Sequence, residues 1–303
     1  MNGKKFSKDE KVDNLSALGY ICYLKGDLSE AEKCLEQAVN LDDKNVINWK
    51  NLALIYKKLK KWDKLIFCFK KVLEIDPELI DAWNNLGYGY GMLKEYKKEL
   101  ECYDRVLELN SESEDGWFNK GVVFEELSEW EQAFHCYNRC LSINDKNFRA
   151  WCGKGIVLGK SGNLDGALEC FEKSLDINPR FVDGWYNKGI TLAKLFYIDR
   201  AIECFEEALK IKPEDIKSLY AEGILLKISG DLEEAVKCFM ELLSLEPENK
   251  EVWLLQGEML EKLGDMEFAL SCYEHWTDLG GGDEENDEES NDFDSPDFLD
   301  YRH

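Results

Sequence analysis

The chain lacks most of what an enzyme, a membrane protein or a nucleic-acid binder requires. Only three of its 303 residues are histidine, and His135, His275 and His303 have no Ser or Cys partner in a nucleophile motif. There is no Gly-rich phosphate loop, because Gly87-Tyr-Gly89-Tyr-Gly91 falls inside a helical pattern and reads as packing. No apolar run approaches the ~18 residues of a membrane span. The opening MNGKKFSKDEK has no apolar core after its lysines, unlike a secretory signal. Positive charge is scarce: 38 Lys and Arg stand against 62 Asp and Glu, a formal net charge of −24. That balance argues against general nucleic-acid binding, which rests on neutralising phosphates, and favours solubility and steering toward basic partners. Eleven cysteines without a signal fit a reducing cytoplasm. The expectation is a cytoplasmic chain that is not an enzyme and uses no cofactor and no metal.

What is present is a period of 34. Trp49, Trp83, Trp117, Trp151, Trp185 and Trp253 mark it, with Leu15 and Leu219 at the two remaining register marks. Four residues after each mark stands Gly or Ala, as in Gly19, Ala53, Gly87 and Gly189. Twenty after it stands Leu35 or an aromatic, as in Phe69, Tyr103 and Phe205. Sixteen after it Ala recurs, with Leu65 and Glu99 as departures. Eight registers without an insertion exclude chance.

Within a unit, Trp185, Gly189 and Leu192 fall at i, i+4 and i+7, one stripe of a helix. Ala201, Phe205 and Ala208 repeat that spacing on a second helix. A small residue opposite a large ring lets two antiparallel helices approach closely. Turn pairs such as Gly26-Asp27 and Gly162-Asn163 join the helices, and Asp76-Pro77 or Asn178-Pro179 ends the unit. No unit can bury its apolar faces alone, so the units stack.

These residues carry a resemblance. The pattern W-x₂-L-G-x₂-Y, then A-x₃-F, then P is similar to the tetratricopeptide repeat, and E-C-F/Y-x-x-A/V-L-x-I-x-P resembles archaeal arrays of it. Leu52, Leu86, Tyr56 and Tyr90 fill the Leu and Tyr slots, whereas Lys120, Lys154 and Lys188 replace that Leu later on. The resemblance implies an all-α, right-handed superhelical solenoid of antiparallel helix pairs, with units 12–45, 46–79, 80–113, 114–147, 148–181, 182–215, 216–249 and 250–283. An arm, 1–11, precedes them and an acidic tail, 284–303, follows. It further implies a protein-interaction scaffold that binds a protein or peptide in the concave groove.

Cys34, Cys68, Cys102, Cys136, Cys170, Cys204, Cys238 and Cys272 all fall 19 after their marks. Stacked helices lie ~8–10 Å apart and disulfide Cα atoms within ~7 Å, so the ladder reads as small packing residues. Cys136, Cys140, His135 and Cys152 show no recognised metal-ligand spacing.

The positions one, two and five after each mark form a second stripe on the first helix, which the resemblance places in the groove. Asn51, Asn85, Asn119 and Asn187 stand two after the mark, where an amide can grip both C=O and N–H of an extended peptide. Phe118, Tyr186, Tyr220 and Leu254, with Val122, Ile156, Ile190 and Ile224, give an apolar lining, read either as a peptide surface or as helix packing. The second unit is basic, with eight lysines against four acids, and Lys50 and Lys57 lie on the stripe. The family's carboxylate clamp is not satisfied, since Leu54 follows Lys50 four residues on. A looser site for an acidic ligand and a solvated face remain the two readings.

The end differs. Residues 283–303 hold ten carboxylates and one Arg, the composition of a disordered segment. Phe268 and Trp276 give the last helix excess apolar surface. Phe293, Phe298, Leu299 and Tyr301, or another copy of the chain, are expected to cover it, so self-association is the second expectation beside the scaffold. A non-catalytic subunit of an enzyme complex is the third, and in both alternatives the acidic tail is expected to occupy or regulate the groove.

Overall fold

A computed structural model describes residues 7–281 and is all-α over that range. The chain divides into two compact bodies, one up to Asp145 and one from Lys146. In the first, α1 (Lys8–Leu24) pairs with α2 (Leu28–Leu41) and α3 (Val46–Lys58) with α4 (Trp62–Ile75). There α5 (Ile80–Met92) pairs with α6 (Tyr96–Leu109) and α7 (Glu114–Glu126) with α8 (Trp130–Ile143). In the second, α9 (Phe148–Lys160) pairs with α10 (Leu164–Ile177) and α11 (Val182–Lys194) with α12 (Ile198–Ile211). Its last pairs are α13 (Ile216–Ser229) with α14 (Leu232–Leu245) and α15 (Lys250–Lys262) with α16 (Met266–Asp278).

The helices begin where side chains can satisfy the free N–H groups. Ser7 and Glu10 form a capping box before α1, which opens one turn ahead of the expected first unit. Asn45, Ser113, Asn147, Asp215 and Asn249 accept from the N–H three residues on. The turn inside each pair places one residue in left-handed backbone. Gly26, Gly162, Gly230 and Gly264 hold it at φ 82° to 92°, while Lys60, Lys94, Ser128 and Phe196 hold the same register position at 55° to 61°.

The Gly–aromatic contact expected from the sequence is direct. A Cβ on Gly121 would lie 2.8 Å from the Tyr137 ring, and one on Gly155 or Gly189 would lie 2.7 Å from Phe171 or Phe205. Those rings are fully buried. The Trp at each mark does more than pack. Trp83, Trp117 and Trp185 each donate the indole N–H, at 2.9 Å, to the carbonyl six residues back, on Pro77, Ser111 and Pro179. One side chain thereby ties the loop between repeats to the next helix.

The cysteines of the ladder are buried except Cys238, which is half-buried. Burial pushes the thiols of Cys68, Cys102 and Cys238 up to about 12, so they are inert packing residues. Among the described residues no three of His, Cys, Asp and Glu converge as metal ligands, and no helix is long and apolar enough to cross a membrane.

Candidate functional site

The stripe one, two and five after the mark lies on successive first helices. In the first body it runs over α3, α5 and α7, where Lys50, Asn51, Lys57, Asn85, Phe118 and Asn119 are all half-buried. Lys50 Nζ lies 3.9 Å from Asp81 of the next first helix. Lys57 Nζ sits 4.0 Å from the centre of the Tyr88 ring, a cation–π contact. These contacts join α3 to α5 along one face.

The asparagines are held in a shared way. Asn85 Nδ2 donates to the Asp81 carbonyl at 2.7 Å, and Asn187 Nδ2 to the Asp183 carbonyl at 2.7 Å. One N–H of each amide is engaged one turn back on its own helix, and Asn187 Nδ2 also lies 3.9 Å from Cys152 Sγ. Asn85 keeps a second N–H and Oδ1, the pair that a two-handed grip on a peptide uses.

The apolar residues of the stripe divide. Phe118 lies 6.0 Å from the Tyr137 ring and Tyr186 5.8 Å from Phe205, each half-buried on its own repeat's second helix. Tyr220 is different: it is buried, packs on Phe239, and donates its hydroxyl to Glu251 at 2.9 Å. Ile190 and Ile224 are buried as well. On α13 the expected lining is helix packing, because the following repeat covers it, whereas Leu254 of α15 is half-buried.

The lysines of the second repeat are mostly engaged. Lys61 and Lys64 converge on Glu32 of α2 at 2.6 and 3.0 Å. Burial pushes the Glu32 carboxyl up, but the hydrogen bonds from Lys61 and Lys64 outweigh it and hold it below the ordinary value.

Three features were missed in the sequence. Lys120 and Lys188, three after their marks, reach back to Asp104 at 2.5 Å and Glu172 at 3.2 Å on the preceding repeat. Glu222 stands in the same slot but meets Glu206 and Glu241; burial first, then those charges, push its carboxyl up to about 7. Glu99, where six of the other repeats carry Ala, is buried against Gly91, and burial pushes it to about 7 despite the hydrogen bond from Tyr103. The signal was the register: an acid beneath an acid, and a Gly eight residues before an unusual Glu on the paired helix.

Comparison with known proteins gives the family. Models described as tetratricopeptide repeat match residues 12–45, 49–79, 80–113, 114–147, 148–181, 182–215 and 220–284. No curated protein matches the chain in a sequence search. Among solved structures, a tetratricopeptide repeat protein from Parabacteroides merdae is similar over 86% of this chain and 99% of its own, at 20% identity and TM-score 0.67. The Cut9–Hcn1 hetero-tetramer of the APC/C is similar over 85% of this chain and 50% of the matched chain, at 16% identity and TM-score 0.66. Pseudomonas aeruginosa pilF is similar over 70% of this chain and 97% of its own, at 23% identity and TM-score 0.60. At these identities the structures speak for the fold, and the sequence models speak for the lineage: the chain belongs to the tetratricopeptide repeat family.

Proposed function

We propose that the chain is a non-catalytic scaffold, acting in the cytoplasm, that holds an extended protein or peptide segment along the face of its first helices, the concave groove of the family. The observation that carries this reading is the row Lys50, Asn51, Lys57, Asn85, Phe118 and Asn119. Asn51, Asn85 and Asn119 stand two after their marks on three successive first helices, Lys50 and Phe118 one after, and Lys57 two turns beyond Lys50; all are half-buried, outside the core. First helices ~10 Å apart match about three residues of an extended ligand at ~3.3 Å each, so one ligand can meet the same position on each repeat. Within the second body, Tyr186 and Asn187 hold the same two positions after their mark and are half-buried. Tyr220 enters through the Glu251 bond that fixes α13 against α15.

The test is display of random peptides against the full chain, followed by calorimetry on the peptides recovered. Asn85→Ala with Asn119→Ala is expected to weaken their binding about tenfold or more. Peptides whose affinities do not move in that variant would end the reading. The self-association alternative rests on the exposed Tyr20, Ile21 and Leu24 of α1 and Leu270 of α16; a concentration-dependent mass in light scattering is its signature.

A further inference from the structure

Where the second helix of one repeat meets both helices of the next, two positions face each other across a groove. They are the residue 21 after one mark and the residue 15 after the next. Between α2 and α4 they are Glu36 and Lys64, an ion pair at 3.3 Å. Between α4 and α6 they are Lys70 and Lys98, both over the Tyr90 ring at 5.7 and 5.3 Å. Charged side chains thus occupy these grooves in the first body. Between α14 and α16 the same positions are Met240 and Phe268, 57% and 62% exposed. Nowhere else in the register are both apolar. The groove there measures about 560 Å³ and is walled by Val236, Leu243, Trp253 and Leu260. Gln256 also lines it, is 6% exposed, and has a buried Oε1 with no hydrogen-bond partner. A buried acceptor without a donor points to a group that is to be supplied.

We propose that this groove docks a basic amphipathic segment of another protein. Two of its apolar side chains fill the space between Met240 and Phe268, a donor reaches Gln256, and lysines or arginines flank them. Charge selects this occupant. Residues 232–281 carry twelve Asp and Glu against three Lys. A second copy of the chain would bring the same excess to its own patch. Residues 283–303, outside the described range, hold ten carboxylates and one Arg and meet the same repulsion, so Phe293, Phe298, Leu299 and Tyr301 are not the occupant argued here. A basic segment gains steering on approach and apolar burial on arrival. The site involves other helices than the first-helix row and stands without it.

The test uses the full chain and fluorescence anisotropy with a labelled amphipathic peptide of leucines and lysines, beside its leucine–glutamate counterpart. Met240→Glu with Phe268→Lys transplants the Glu36–Lys64 pair and leaves net charge unchanged. The lysine peptide is expected to bind the wild type at least about tenfold tighter than that variant, and tenfold tighter than the glutamate peptide binds the wild type. Asn85→Ala with Asn119→Ala leaves this affinity unchanged, so failure here and failure of the first-helix reading are separate results. If the double substitution unfolds the chain, Phe268→Ser at the exposed position gives the same readout. Equal affinity in the groove variant, or equal affinity of the two peptides, overturns the proposal. So does a dimer that becomes a monomer in the groove variant, which names a second copy as occupant. So does a tenfold gain in peptide affinity on replacing Phe293, Phe298, Leu299 and Tyr301 by Ala, which names the chain's own end.

Discussion

The two bodies share a scaffold and part at a few register positions. In both, a Gly four after the mark receives a ring twenty after it, and a Trp N–H holds the loop between repeats. The first body fills its inter-repeat grooves with charge, buries Glu99 against Gly91, and bridges Lys120 to Asp104. The second bridges Lys188 to Glu172, then places acid on acid at Glu222 and leaves Met240 and Phe268 exposed. The contact of the residue four after the mark with the one twenty after it, between a repeat's own two helices, recurs in both bodies. The contacts between repeats do vary, and they give each stretch of the array its own surface.

If the scaffold is common, breaking it should cost the same in either body. Gly121→Val and Gly189→Val drive a side chain into the buried rings of Tyr137 and Phe205, whose edges lie 2.8 and 2.7 Å from the added Cβ. Each is expected to lose about 3 kcal/mol of stability in urea unfolding, since a packed ring cannot yield. A loss below about 1 kcal/mol in one of them would break the equivalence.

The buried acids should separate the bodies next. Both Glu99 and Glu222 are raised to about 7 with burial as the first cause. Glu99 has the Tyr103 hydroxyl as donor and Glu126 as a like charge, whereas Glu222 has Cys238 S–H as donor and Glu206, Glu241 and Glu234 as like charges. A raised carboxyl keeps its proton in the folded chain where the unfolded chain, near 4.5, has lost it. Stability is therefore highest below the unfolded value and falls as pH rises through about 7. Glu222→Gln is expected to stabilise relative to wild type by on the order of 2 kcal/mol at about pH 8 and by little at about pH 5. Glu99→Gln should follow the same direction with a smaller gain. A wild-type difference that does not change with pH would show that these carboxyls are not held neutral.

A third comparison sets Gly91 against Gly159, the same register position in the two bodies. A Cβ on Gly91 meets the Glu99 carboxyl at 2.5 Å, while one on Gly159 meets nothing nearer than the Ala167 Cβ at 3.8 Å. Gly91→Ala is expected to cost about 1–2 kcal/mol through that clash. Gly159→Ala is expected to gain about 0.5–1 kcal/mol from helix propensity. Equal signs in thermal unfolding would mean that Glu99 moves aside freely.

The period, the helix pairs and the Gly–ring contact were legible because each lies within one 34-residue unit, where spacing alone fixes which side chains meet. The Trp N–H bond was hidden, since the residues 6 before the marks (Asp43, Pro77, Ser111) share no side-chain chemistry and the acceptor is backbone. The row Lys50, Asn51, Asn85 and Asn119 was legible as a stripe, but the sequence did not say how far it stays open. Tyr220 and Ile224 follow the same spacing and are buried, because Glu251 and the α15 repeat close over them. Phe268 stood out as apolar in a polar column, yet its partner Met240 did not, because that contact spans two repeats.

The smallest effect tests the turn between paired helices. Gly162 adopts left-handed backbone at φ 83°, and Phe196, one repeat later, adopts it at φ 61°. That conformation costs a residue with a side chain about 1 kcal/mol, through the approach of Cβ to the following carbonyl. Phe196 is 75% exposed, so little burial offsets the cost. Glycine relieves the strain but loses more backbone entropy on ordering, which sets the net gain of Phe196→Gly at about 0.5 kcal/mol. Gly162→Ala runs the exchange backwards and should lose about 1 kcal/mol. A Phe196→Gly variant with an unchanged or lower urea midpoint would mean that the exposed ring is held by a contact worth at least the strain, and the turn of α11–α12 would then join Met240 and Phe268 as apolar surface on the second body.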